Sequence, residues 1–430
     1  METSVLEKTT KDNGFLRSDV ISSAAYTTAH FVVDFACAFL LFRMWSIKAV
    51  SSEDAWRFFL VYNLMAFGLE FFIGIFFNAR TARLCSCIGF ALIAIALVLG
   101  FYAERIVLSA GAQGAQLQLY GAFGSFVSKF SYGSSVSLLP ILILTSFVVI
   151  GIGNAFFHVG GGIDALSRNI GRYWRGGVFI SSGSLGLAYG GILGRKIDSF
   201  SFCATLILVA FGTVIIWLGG KDRRSISPSA DLFETNKPFQ DETVEVYQRQ
   251  FTDEWELFPL LAALLVIWSR SFVGFAAPDI LKISFERVLL DLGDGFPLLI
   301  AFAAFMGKFA GGFFADLWNA KMFGALAILL SIPAICFSNN PILFLFGVFL
   351  INTSTAITLL SAAQSCVGRT GFAFGLTTLA LIGGYIYYEY LTVALDWETR
   401  LLSLRVFLSA LLLVSAIGLY YSTRVLKSRI

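Results

Sequence analysis

"LLPILILTSFVVIGIGNAFFH", residues 138–158, decides the fold. It carries no acidic or basic side chain before its closing histidine. Wound as a helix at about 1.5 Å per residue, it is roughly as long as the ~30 Å hydrocarbon core of a bilayer is thick. Lipid supplies no partners for backbone N–H and C=O groups, so a run this long and apolar is predicted to be helical. The same kind of run recurs at Val20–Phe42, Ala55–Phe77, Leu84–Tyr102, Gly177–Gly194 and Phe200–Leu218, then at Leu257–Pro278, Pro297–Leu317, Met322–Phe337, Pro341–Gln364, Gly371–Leu391 and Leu401–Tyr421. The predicted class is an all-α integral membrane protein with twelve transmembrane helices. Composition agrees: 57% of the 430 residues are hydrophobic and 14% charged, against roughly 25% charged in soluble domains.

The same composition excludes several functions. A net charge of +3 is too small to predict a nucleic-acid partner. The six cysteines, Cys37, Cys85, Cys87, Cys203, Cys336 and Cys366, form no C-x-x-C pair, so neither a disulfide framework nor a zinc site is predicted. Two histidines and no H-E-x-x-H leave no basis for a membrane enzyme, a metal centre or a cofactor. Residues 1–19 are polar and lack the apolar core of a cleavable signal, so the first span is expected to serve as its own insertion signal.

The charged stretch 221–256, with five Lys/Arg against nine Asp/Glu, divides the spans six and six. The expected organisation is a cytoplasmic tail (1–19), a six-helix half (20–220), a central cytoplasmic loop (221–256) and a second six-helix half with a short tail (257–430). Paired halves are a common plan for transporters. With both termini inside, the inner segments hold 18 Lys/Arg and the outer ones 11, a bias that places the termini in the cytoplasm of a plasma (inner) membrane. The long, nearly uncharged loop 103–137 suggests no role.

Ionisable groups at mid-bilayer cost at least a few kcal/mol each and ask for an explanation. His30 and Asp34 in span 1 stand four residues apart and share a helix face, which makes them a candidate proton-handling pair. Arg270 in span 7 and Lys308 in span 8 put two cations in the other half, where the arginine fork suits carboxylate or phosphonate oxygens. Either these groups surround a central cavity, or they pair across the bundle only to satisfy one another. His158 and Asn154 lie one turn apart toward the inner end of span 4, before a "GGG" that makes that end pliable, and read as a gate, a relay or a satisfied polar helix end. Glu70 in span 2 is near His158 in depth. Asn352 and Thr355, with their hydroxyl-rich neighbours in span 10, either line a wet cavity or join helices.

Six plus six spans around a central loop resemble the major facilitator superfamily. "GFFADLWNAK" after span 8, with Asp316 and Lys321, is similar to that family's loop motif, in which an Asp meets basic residues. After span 2, "GIFFNARTAR" keeps Arg80 and Arg83 but has Asn78 where an Asp is expected. "GLAYGGILG" in span 5 resembles the antiporter motif at Gly186 and Gly190, with Gly191 in place of the proline, and its small residues predict tight packing. "AHFVVD" and "GIGNAFFHVGG" are similar to the fosmidomycin-resistance branch, which exports a small phosphonate anion. The resemblance implies that spans 1, 4, 7 and 10 line one pathway. It also implies a monomer that works in the bilayer by alternating access, with protons and an anionic small molecule as partners. The expected function is proton-coupled export of a small anionic or amphiphilic compound. The alternatives are proton-coupled uptake of an organic anion by symport, or a lipid-handling or non-transporting protein on the same scaffold.

Overall fold

Every predicted span becomes a helix in the computed structural model, which describes residues 2–50, 52–109, 138–167, 172–196, 200–219, 257–293, 295–366, 368–394 and 401–423. Loop residues 110–137 and the linker 221–256 lie outside the described residues. The helices are α1 Glu2–Ser46, α2 (Ser52–Asn63, the π-turn Leu64–Gly68, then Leu69–Phe76), α3 Ala82–Ser109, α4 Leu138–Ser167, α5 Trp174–Arg195 and α6 Ser201–Gly219. The second half has α7 Leu257–Leu292, α8 Gly295–Leu317, α9 Ala320–Cys336, α10 (Pro341–Thr353 and Thr355–Ser365), α11 Thr370–Ala394 and α12 Leu401–Ser422. Eleven of them contain a stretch long and apolar enough to cross a membrane; α9 is apolar but shorter. No strand occurs among the described residues.

Several helices outrun their predicted bounds. The backbone of α1 is already helical from Glu2, through the segment expected as a tail. The "GGG" of residues 160–162 is not a pliable end but helix interior, because α4 continues to Ser167. A Cβ at Gly160 would meet α3 at Ser86, one at Gly161 would meet Phe179, and one at Gly162 would meet Phe374, so close approach on three sides explains the glycines. His158 accordingly sits well inside the bundle. In α10 the helix breaks at Ser354. There the hydroxyls of Thr353, Ser354 and Thr355 donate back to the carbonyls of Leu350, Ile351 and Asn352, a pattern that bends helices.

Glycine also sets which helices meet. Gly183, Gly186, Gly190 and Gly194 form one stripe on α5, and a Cβ at any of them would run into α1 between His30 and Arg43. The tight packing predicted for Gly186 and Gly190 is therefore packing against the helix that carries His30 and Asp34. Farther along α1, buried Arg43 donates to Glu104 on α3 at 2.5 Å and to the carbonyl of Lys196.

The close backbone contacts between the halves lie toward the end of the bundle where α6 ends and α7 begins, called here the terminal side. There α2 meets α11, where Gly74 abuts Gly371 and Phe71 abuts Gly375. On the other flank α5 meets α8, with Gly177 against Gly312. Asp316 at the end of α8 locks this crossing: its two carboxylate oxygens accept the backbone N–H groups of Tyr173 (2.8 Å) and Trp174 (2.9 Å) at the start of α5. The carboxylate thus satisfies two orphan donors and meets the positive end of the α5 dipole. Lys321, expected beside Asp316, lies instead with its ammonium 4.1 Å from the Tyr420 ring centroid. Arg83 stacks over Trp217 on α6. Asn78 stands in for the expected Asp as a turn former, its side-chain oxygen accepting the N–H groups of Arg80 (3.1 Å) and Thr81 (3.2 Å).

Asp316→Ala is expected to weaken the terminal-side contact by about 0.5–2 kcal/mol, the usual effect of removing a side-chain acceptor from a helix N-terminus. Spin labels at Ser167 and Arg369, one on each half, should report a larger separation or a broader distribution in the variant. An unchanged distribution would show that glycine packing alone holds this side shut.

Candidate coupling and substrate site

Four predicted residues converge inside the first half. His30 and Asp34 lie on α1 with their polar atoms 3.3 Å apart (Nε2 to Oδ2), as the spacing predicted. What the spacing does not contain is the arrival of α4 on the same point: His158 Nε2 is 3.3 Å from the other oxygen of Asp34 and 3.1 Å from His30 Nε2. All three side chains are buried. Behind them, His158 Nδ1 lies 3.1 Å from Glu70 Oε1 on α2, and His30 Nδ1 lies 2.7 Å from the backbone carbonyl oxygen of Phe179 on α5.

Local features explain how the four reach one another. The π-turn Leu64–Gly68 immediately precedes Glu70, and such one-turn insertions re-aim the side chains that follow. Gly183 carries no side chain just where α5 passes the cluster: a Cβ there would lie 2.6 Å from His30 Nε2 and closer still to Asp34. Aromatic rings form the walls. Phe179 stacks on His30 at 4.8 Å between centroids, His30 and His158 meet edge-on at 4.8 Å, and Phe67 stacks on His158 at 6.3 Å. The walls are thus largely aromatic, so interactions within the cluster are strong.

The second half supplies the cations. Lys308 on α8 donates to the hydroxyl of Ser184 on α5 at 2.7 Å, a bond that crosses between the halves. It lies within electrostatic range of both Asp34 and Arg270. Arg270 on α7 has a buried Nη1 with no hydrogen-bond partner among the described residues. Ser184 and the Phe179 carbonyl were not readable as site groups in sequence, since an apolar run containing serine is ordinary and a backbone oxygen leaves no sequence signal.

The remaining candidates lie elsewhere. Asn154 is buried on α4, and its amide donates to the Tyr62 hydroxyl at 2.5 Å, so it fastens α4 to α2. Asn352 donates to Val348 within α10 at 2.8 Å, and Thr355 donates to Asn352; neither bond joins a second helix. Asp164, past the glycine run, accepts from Ser22 at 3.0 Å and lies 3.7 Å from Arg175.

Neither a family model nor a curated protein matches the chain by sequence. Solved structures do match it in fold, over nearly its whole length. The E. coli fucose:proton symporter FucP superposes with a TM-score of 0.65 at 11% identity, covering 95% of this chain and 100% of that one. FucP is described as a major facilitator superfamily transporter, in the outward conformation. This is the major facilitator fold. A bacterial homologue of the iron transporter ferroportin, in an outward-facing state, gives 0.59 at 13% identity, covering 94% and 99% of the two chains. The human organic anion transporter TETRAN gives 0.54 at 15% identity, covering 93% and 99%. At such identities the match shows the major facilitator fold and carries no residue-by-residue correspondence, and the likeness of the two short motifs to the fosmidomycin-resistance branch stays a likeness of motifs.

Proposed function

We propose that this chain is a secondary transporter working by alternating access, with both termini cytoplasmic, that exports a small anionic or amphiphilic compound in exchange for protons. The observation that carries the proposal is the division of charge between the halves. The first half contributes two imidazoles and two carboxylates in one buried cluster, with polar atoms 3.1–3.3 Å apart from His30 through Asp34 and His158 to Glu70. The second half contributes two cations, one of which holds a buried N–H without a partner among the described residues. A buried guanidinium nitrogen left unpaired is costly, and an anionic ligand removes that cost.

Rocking supplies the cycle. The halves touch on the terminal side across glycine-to-glycine crossings, which separate as rigid faces, and a site lying between them would then be exposed to each side in turn. In this reading the cluster takes up protons from one side while the anion at Arg270 and Lys308 leaves to the same side. The direction is supported by the α5 glycines, whose spacing resembles the antiporter motif.

The test is a thermal-stability screen of purified, detergent-solubilised protein with phosphonates, carboxylates, sugar phosphates, lipophilic cations and neutral solutes. A ligand that binds only the folded state raises the unfolding midpoint by mass action, about 2.7 kcal/mol at a hundredfold excess over Kd. One anion class should stabilise wild type and lose most of that effect in Arg270→Ala. Stabilisation by lipophilic cations, or by anions equally in the variant, would remove the anion site and favour lipid or multidrug handling.

A further inference from the structure

The contact between the two histidines is chemically demanding. Each imidazole has its Nδ1 set against an acceptor, the Phe179 carbonyl at 2.7 Å for His30 and the Glu70 carboxylate at 3.1 Å for His158. An Nδ1 facing an acceptor carries the hydrogen, which leaves the lone pair on Nε2. Both Nε2 atoms therefore point lone pairs at one place, 3.1 Å from each other and each 3.3 Å from an oxygen of Asp34. Two imidazole lone pairs and a carboxylate at that separation repel unless something positive, a proton or a metal ion, lies among them.

We propose that His30, Asp34 and His158 form a binding site for a divalent first-row transition metal ion, with Zn²⁺ and Co²⁺ as its representatives. Three observations converge on this. The ligand atoms lie within 4.8 Å of one another. The two Nε2 atoms are 3.1 Å apart, with Asp34 Oδ2 3.3 Å from His30 Nε2 and Oδ1 3.3 Å from His158 Nε2, each close to the edge of a tetrahedron around Zn²⁺, which is about 3.3–3.4 Å for bonds of about 2.0–2.1 Å. Metal-binding histidines characteristically donate their other ring nitrogen to a carbonyl or carboxylate, and both histidines here have Nδ1 set against one.

Two imidazoles with one carboxylate suit zinc, cobalt, manganese or iron(II), and disfavour magnesium and calcium, which take oxygen ligands. All three ligands belong to α1 and α4 of the same half, so the site does not need the halves to be closed. It uses the side chains assigned above to coupling, yet the ion binds or does not bind whether or not protons move.

The test is direct binding to the full chain in detergent, freed of metal with a chelator. Co²⁺ is expected to bind at one per chain with the visible absorption of a four-coordinate ion, and Zn²⁺ should displace it. His158→Gln and Asp34→Asn should abolish that spectrum, and Glu70→Gln should weaken binding by about 10–100-fold, the usual effect of losing a supporting partner. Zinc-edge X-ray absorption on wild type covers the case of a variant that does not fold. His30 and His158 are the chain's only histidines, so two imidazoles per zinc identify the site without any substitution. A six-coordinate Co²⁺ spectrum unaffected by the variants, or fewer than two imidazoles on zinc, would overturn the proposal. Loss of metal binding with anion stabilisation through Arg270 intact removes the metal site alone; the converse removes the transport reading alone.

Discussion

Asp34→Asn is expected to abolish proton-driven movement of substrate while leaving the chain folded. The carboxylate stands between two imidazoles, with Oδ2 3.3 Å from His30 Nε2 and Oδ1 3.3 Å from His158 Nε2. At that distance, and at the effective dielectric of about 20 that suits such sites, its attraction for one imidazolium is roughly 5 kcal/mol before desolvation is counted. Asparagine has nearly the same shape, so α1 keeps its seat on the α5 glycines, but the charge that steadies a protonated histidine is gone. In proteoliposomes with an entrapped pH dye, proton flux triggered by a stabilising anion should fall to that of empty vesicles. Exchange of labelled for unlabelled anion, which needs no net proton movement, should persist. Wild-type coupling in the variant would move the proton site elsewhere, and loss of exchange as well would mean that Asp34 holds the substrate.

A comparable effect is expected from one methyl group at Gly74. A Cβ there would penetrate the carbonyl of Gly371, a backbone group with no rotamer by which to move aside. Gly74→Ala therefore opposes closure of the terminal side, at a cost of the order of the ~1–3 kcal/mol typical of overpacked cores, or more. Net transport should be largely lost, with longer spin-label distances between Ser167 and Arg369 and a folded protein in detergent. Gly68→Ala is the control, since a Cβ at Gly68 meets nothing within 4 Å. If both substitutions act alike, helix propensity rather than the α2–α11 crossing is responsible.

Much of this molecule is legible in its amino-acid sequence. The twelve spans follow from one physical requirement, that a backbone in lipid must satisfy itself, and twelve helices with no strand among the described residues are what that requirement predicts. Helix ends are less legible. The interior "GGG" of α4 has the composition of a hinge, and only its three neighbours show that it is a packing surface. The loop motif pairs Lys321 with Asp316, whereas the α5–α8 crossing brings the backbone amides of Tyr173 and Trp174 to that carboxylate.

The site divides along the same line. Sequence by itself determined the His30–Asp34 pair, because residues four apart on a helix always lie about one turn from each other. It also determined that Arg270 and Lys308 are cations within membrane spans, because hydropathy places them in mid-span. Only the tertiary structure decided that His158, 128 residues from His30, completes the cluster, that Glu70 and the Phe179 carbonyl orient its imidazoles, and that Asn154 serves Tyr62. The reason is that these contacts run between helices. Which faces meet is set by glycine crossings and by a π-turn, whose effects depend on partners far away in the chain, and local periodicity holds no record of them.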